Sequence, residues 1–302
     1  MAQDTLTSPT AITPSPEPPA TPTDRARRRR RNAILKHAGL LAFVALMIYP
    51  LVWLVVASFK PENLILTDPG LLPSETTLDN YRQGWNALNQ PFWVFFANSF
   101  IVTIGAIIGN LFSCSLTAYA LARLEFRTRS LYFGIVLVSV MLPIHVLIIP
   151  QYVVFSQLGF VNTFIPLVLP KFLATDAFFI FLMIQFIRGI PRELDQAAWL
   201  DGTGPFRTFW YVVFPLMRPA LVTTTIFTFI WTWNDFFSPL IYLTKSQVFT
   251  VPVALSSMVD SETSSGVGML LAMSVLSLIP IMLFFTFAQK YLIRGIATTG
   301  LK

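Results

Sequence analysis

The residues that could do chemistry are few. In 302 residues there are two histidines, His37 and His145, and one cysteine, Cys114. That supply argues against a histidine-based metal centre or acid–base pair, and a lone cysteine excludes both an intrachain disulfide and a zinc cluster. No G-x-S-x-G or H-E-x-x-H segment occurs. No lysine sits in a G-x-x-x-x-G-K-[ST] phosphate loop, so the chain cannot hydrolyse ATP by that route. What remains is polar residues inside apolar runs. Trp231, Trp233, Asn234 and Asp235 lie together in one run, and Lys171 and Asp176 in another. Aromatic faces beside hydrogen-bond acceptors suit a sugar, whose ring has apolar faces and hydroxyl edges. The competing reading is that Asn234 and Asp235 cap or brace a bent helix, that the tryptophans face lipid, and that Lys171 pairs with Asp176. His145, next to Pro143, reads as a packing histidine. No catalytic or metal-ligating set emerges.

The elements that hold these residues are set by lipid. The chain is 54% hydrophobic and 12% charged, against about 25% charged in soluble domains. About 20 apolar residues cross a bilayer core, and six stretches qualify, near 37–59, 95–122, 131–155, 164–187, 220–243 and 268–293. The expected fold is an all-α membrane protein with six transmembrane helices. Seventeen of the 21 basic residues fall in alternate loops and at both ends, leaving Lys60, Arg82, Lys171 and Lys245 elsewhere. The positive-inside rule then places both termini in the cytoplasm. The net charge of +6 is thus a topology signal, and nucleic acid is not an expected partner; the lipid bilayer is. Residues 1–36, Pro/Ser/Thr-rich and then Arg-rich from Arg25 to Arg31, read as a disordered extension. Residues 37–302 read as the transmembrane domain.

Within that domain, Gly105 and Gly109 form a small-xxx-small pair that allows close helix approach. Pro143, Pro150 and Pro170 should kink or break their helices. The loop at 60–94 is extracytoplasmic and expected to be partly structured. The loop at about 188–219 is cytoplasmic. Pro191 fits a first helical turn, Glu193 and Asp195 favour its dipole, and Asp201-Gly202-Thr203-Gly204 ends the helix. Pro205 starts a second helix with Phe206, Phe209, Trp210 and Val213 at i, i+3, i+4 and i+7, one apolar face; Pro215 and Pro219 stop it. Ala197 and Ala198 read as a smooth patch that could enter a groove on a soluble partner, with Asp195 and Gln196 beside it.

This loop resembles the EAA loop of binding-protein-dependent ABC importer permeases: Gln196-Ala197-Ala198, Gly202 and Val212-Val213-Phe214-Pro215 stand at matching spacing. The likeness is nearest to carbohydrate permeases of the maltose and glycerol-3-phosphate type. It extends to Asn98-Ser99 through Ala118-Tyr119-Ala120-Leu121-Ala122-Arg123, to Trp233-Asn234-Asp235-Phe236, and to Gln289-Lys290-Tyr291 with Arg294-Gly295. Gln196 departs from the usual Glu, which weakens a salt bridge from that position; Asp195 could compensate.

The resemblance implies a type I ABC importer transmembrane domain in a prokaryotic (inner) cell membrane. It implies a non-enzymatic permease subunit, with ATP and Mg on a separate, homodimeric ATP-binding subunit and no cofactor of its own. It implies a second homologous permease, an extracytoplasmic solute-binding protein and a carbohydrate substrate. Glu193, Asp195, Gln196, Ala197, Ala198, Asp201, Gly202 and Pro215 would dock the ATP-binding subunit. Trp231, Trp233, Asn234, Asp235, Asn98 and Lys171 would line the substrate path. Glycerol-3-phosphate or another polyol derivative is the alternative substrate. A secondary transporter is the rival class, but the expected repeats and paired intramembrane acids are not evident.

Overall fold

The computed structural model describes residues 22–260 and 266–299. Residues 1–21 of the expected disordered extension, and the end of the C-terminal tail, lie outside them. Two units divide the chain, Met1–Trp53 and Leu54–Lys302.

The first unit consists, in its described part, of most of helix α1 (Pro22–Ser58). Here the expectation of disorder to residue 36 is corrected, because residues 22–36 are helical. Pro22 is preorganised for a first turn, and Arg, Ala and Leu are good helix formers, so nothing between Asp24 and Lys36 breaks the helix. Its apolar part, Arg30–Ser58, is long enough to cross a membrane.

In the second unit two short helices, α2 (Glu62–Ile65) and α3 (Asp79–Gly84), precede the long α4 (Trp93–Arg123). Then come α5 (Arg129–Met141), α6 (Ile144–Gln157), α7 (Ile165–Phe172) and α8 (Ala177–Arg188). The hairpin follows, with α9 (Glu193–Leu200), α10 (Pro205–Thr208), a π turn (Phe209–Val213) and α11 (Phe214–Leu216). Last are α12 (Arg218–Trp233), α13 (Phe237–Tyr242), α14 (Val251–Asp260) and α15 (Val267–Thr299). No strand occurs among the described residues.

Four stretches are long and apolar enough to cross a membrane, and up to six if each of two sharply bent pairs is one span. The expected spans are interrupted where local chemistry demands it. Leu142 and Pro143 separate α5 from α6, as Pro143 led one to expect, whereas Pro150 stays inside α6. The stretch 164–187 is cut between α7 and α8, where Ala174 takes a left-handed φ of 56°. The stretch 220–243 is cut at Asn234–Phe236, so α12 has only 16 residues.

Helix α4 is the spine. Its buried residues Cys114, Ala118, Leu121 and Ala122 share a core with Phe179, Ile180, Met183 and Ile187 of α8 and with Met217 and Ala220 at the start of α12. A Cβ on Gly105 would sit 2.9 Å from Val168, and one on Gly109 2.8 Å from Phe172 and 2.9 Å from the Lys171 backbone. The glycine pair therefore brings α4 and α7 into direct backbone approach. The 60–94 loop is built rather than loose. Lys60 is buried and donates to the carbonyls of Asp68 and Gly70. Glu62 accepts from the Val267 and Gly268 N–H groups at the start of α15 (3.0 and 2.8 Å), a carboxylate on the positive end of a helix.

Candidate functional site

Helix α9 ends in a Schellman motif. Thr203 N–H donates to Ala198 O (3.0 Å) and Gly202 N–H to Trp199 O (3.0 Å). This pattern requires a left-handed residue after the helix, and Gly202 supplies it with φ +78°. The Thr203 hydroxyl adds a second bond to Ala198 O (2.6 Å). The reversal expected at Gly202 is therefore present, and α9 projects as a fixed unit.

Its faces differ from expectation. Ala197 is exposed but Ala198 is buried, because neighbours on a helix point about 100° apart. Asp195, one turn before Ala198, is 4% exposed. Its Oδ2 lies 3.0 Å from Arg123 Nε at the end of α4. The Asp195 carboxylate is thus turned to Arg123 rather than outward, unlike the contact to a soluble partner expected of it. The outward face carries Glu193, Gln196, Ala197, Trp199 and Leu200, with Leu200 88% exposed. Leu194, Trp199 and Leu200 were missed as surface residues; of these Leu200 lies nearly opposite Asp195 and Ala198, and its helical phase could have found it. Asp201 and Gly202 are exposed, and Pro215 is half-buried in α11.

The second half of the hairpin is helical, but its apolar face is split. Phe209 and Val213 are fully buried while Phe206 is 65% exposed. The π turn at 209–213 widens the angular step, so the four residues do not share a side; Phe214 N–H reaches back to Phe209 O across that turn.

The intramembrane residues divide into two groups. Lys171, Trp231 and Asp235 line two adjoining cavities of about 290 and 390 Å³, together with Asp176 and Ser238. Lys171 Nζ reaches both Asp176 oxygens (3.0 and 2.9 Å). Asn110 of α4 donates to Asp176 Oδ2 (2.7 Å) and Thr228 Oγ1 (3.2 Å). Trp231 is half exposed beside them. His145, read as a packing residue, packs 5.0 Å from the Phe237 ring and also lines the cavity of about 390 Å³.

Asn98, Trp233 and Asn234 lie elsewhere. Asn98 holds the carbonyls of Gln247 and Phe249 (2.9 and 3.0 Å), and Ser99 accepts from Val251 N–H. Trp233 is buried in a stack with Phe229 and against Phe100. Asn234 folds back onto Ile230 O (2.8 Å). Asp235 also accepts from Ser238 N–H at the start of α13 (3.1 Å). The bracing role weighed for Asn234 and Asp235 is therefore present, and Asp235 alone of the two also faces a cavity.

The family model described as "Binding-protein-dependent transport system inner membrane component" matches residues 114–298. The arabinooligosaccharides transport system permease protein AraQ of Halalkalibacterium halodurans is 33% identical, over 87% of this chain and 94% of that one. The sn-glycerol-3-phosphate transport system permease protein UgpE of Salmonella typhi is 30% identical, over 89% of this chain and 97% of that one. Among solved structures, a bacterial ABC transporter involved in the import of the acidic polysaccharide alginate has a chain of like fold. The TM-score is 0.77 at 23% identity, over 91% of this chain and 99% of that one.

Proposed function

Because this chain belongs to the family of binding-protein-dependent transport system inner membrane components, we propose that it is one permease subunit of an ATP-driven importer that brings a carbohydrate from an extracytoplasmic binding protein into the cytoplasm. Its place is the inner cell membrane. Six spans cross it: α1, α4, the α5–α6 pair, the α7–α8 pair, α12 with α13, and α15. The basic loops put both termini and α9 on the cytoplasmic side. ATP and Mg belong to a separate ATP-binding subunit, because no phosphate loop exists in this sequence; that this subunit is a homodimer is what the family resemblance implies. A second homologous permease completes the path.

The observation that carries this reading is α9. It is an eight-residue helix, fixed at its C-terminus by the Schellman motif and to the core by Asp195, that turns Gln196, Ala197 and Leu200 outward. In a permease whose sequence lacks a phosphate loop, this exposed helix is the surface on which an ATP-binding partner would act.

The substrate class follows from the relatives and from the cavities. Their charged lining is one Lys and two Asp, formally −1, with Trp231 as an aromatic wall. A neutral sugar suits that lining better than a phosphorylated polyol. The glycerol-3-phosphate reading is nonetheless favoured by the identity with UgpE. Reconstitution of the complete transporter in vesicles with labelled arabinooligosaccharide and sn-glycerol-3-phosphate separates the two. ATP-dependent uptake of the neutral oligosaccharide supports the first reading, uptake of the phosphate ester alone supports the second, and ion-driven uptake without ATP would overturn both.

A further inference from the structure

Arg123 is the last residue of α4 and is 7% exposed. Its side chain makes two attachments to the segment that carries α9. Nη2 donates to Ile190 O (2.6 Å), and Nε lies 3.0 Å from Asp195 Oδ2. Among the described residues this guanidinium makes the only hydrogen bond and the only ion pair between α4 and the 190–200 segment. The two attachments differ in kind. The Ile190 contact is an aligned hydrogen bond. The Asp195 contact is an ion pair without hydrogen-bond alignment, since neither carboxylate oxygen nor Nε has such a partner. Charge attraction depends on distance more than angle, so this contact keeps hold of α9 while its orientation changes. A cleft of about 360 Å³ beside the pair, lined by Glu125, Arg192, Gln196 and Trp199 among others, gives α9 room to turn.

The middle of the same helix reaches the cavities. Asn110, thirteen residues earlier and thus about 20 Å along the helix, holds Asp176 and Thr228. We propose that Arg123 is a positioning residue that pivots on Asp195 and transmits movement of α9 along α4 to the Asn110–Asp176–Lys171 cluster. This rests on the reading of α9 as the surface driven by the ATP-binding subunit, and it adds the route by which the drive enters the bundle.

The test uses the full importer in vesicles loaded with ATP and supplied outside with binding protein and labelled sugar, read as sugar accumulated inside per ATP hydrolysed inside. Arg123→Gln and Asp195→Asn should each lower that ratio about tenfold, within the range typical of site-to-site coupling, with uptake falling more than hydrolysis. The exchanged pair, Arg123→Asp with Asp195→Arg, should recover a substantial part of the ratio. Arg123→Lys, which keeps one charge but cannot hold both Ile190 O and Asp195, should fall between wild type and Arg123→Gln. It also serves as the deciding variant if the neutral substitutions fail to assemble. Wild-type ratios in the single variants, or in Arg123→Lys, overturn the proposal. So does a proportional fall of uptake and hydrolysis with no recovery in the exchanged pair. Absence of ATP-dependent uptake by the wild-type complex would instead refute the importer reading itself.

Discussion

Lys171 and Asp176 face each other across the break between α7 and α8, with Nζ 2.9 Å from Oδ2. The break makes this possible. Ala174 turns the chain left-handed, and the Thr175 hydroxyl caps the Pro170 carbonyl (2.8 Å). Asp176 is left free to serve the cavity rather than the start of α8, which it supports only through its backbone carbonyl. Both side chains remain about a quarter exposed, so the pair is accessible to a ligand as well as structural.

A double-mutant cycle measures that dual role. Lys171→Met and Asp176→Asn should couple by about 1 kcal/mol in thermal stability of the purified complex, the scale of a partly exposed pair with good geometry. Each should also reduce uptake severalfold, and the double variant should be more stable than the two losses added together. Additive stability losses would mean that the two charges do not support one another.

Glycine at 202 is required by backbone geometry. Gly202→Ala should lower stability by about 1 kcal/mol, the cost of a left-handed non-glycine residue. Gly202→Pro also removes the N–H that donates to Trp199 and should abolish uptake while membrane insertion persists. Gly204 is the control: it is extended, with open space around it, so Gly204→Ala should leave uptake nearly unchanged. Protease accessibility of the hairpin and transport, measured together, check this. Equal effects at the two glycines would contradict the Schellman assignment.

Close packing of α4 on α7 gives a second glycine test. Gly109→Ala places a methyl against the Phe172 ring and the Lys171 backbone, and should destabilise by about 1–3 kcal/mol, as overpacking does. Gly134→Ala in α5 meets nothing within 4 Å and should be neutral or slightly stabilising. Thermal unfolding in detergent compares the two; a harmless Gly109→Ala would show that α4 and α7 can separate freely.

Asp195 gives a pH signature. Burial pushes its carboxyl above the ordinary value of 3.8, more than Arg123 and Arg192 beside it pull it down. Tyr119 also faces it, and Glu125 lines the adjoining cleft. Between the ordinary and the raised value the folded state binds more protons than the unfolded one, so this group's contribution to stability falls as pH rises through that window. Acidifying from neutral pH should therefore stabilise wild type relative to Asp195→Asn. Melting temperatures of both proteins at a series of pH values read the difference, and a gap independent of pH would show that Asp195 titrates normally.

Much of this architecture was legible because lipid imposes a coarse code. Apolar runs, basic loops and the glycine at 202 act within a few residues of themselves. The span breaks were harder: Pro143 announced one and Pro170 pointed close to another, but the left-handed turn at Ala174 had no signal of its own. Side-chain destinations were hardest. Asp195 looked like a docking residue until its partner, Arg123, came from a distant helix, and Asn98 looked like a path residue until the 247–251 segment folded over it. Trp233 and Trp231 are two apart in sequence, yet one is sealed in an aromatic stack and the other walls a cavity. Helical phase separates such neighbours, and only the bundle says which phase faces inward.

That phase argument sharpens the docking surface. Had Ala197 and Ala198 formed one smooth patch, either could be used to test it. With Ala198 buried, Ala198→Trp would disrupt the hairpin's own packing and report on folding. Leu200 is the informative position, because it is 88% exposed and its side chain supports nothing within the chain. Leu200→Asp should leave insertion and melting temperature within about 0.5 kcal/mol of wild type, as surface changes do. It should weaken recovery of the ATP-binding subunit in a pull-down by about tenfold or more, the effect of a polar group forced into an interface core. An unchanged pull-down would move the docking surface away from the outward face of α9, while lost insertion would mean that Leu200 is buried in the assembled membrane rather than against a soluble partner.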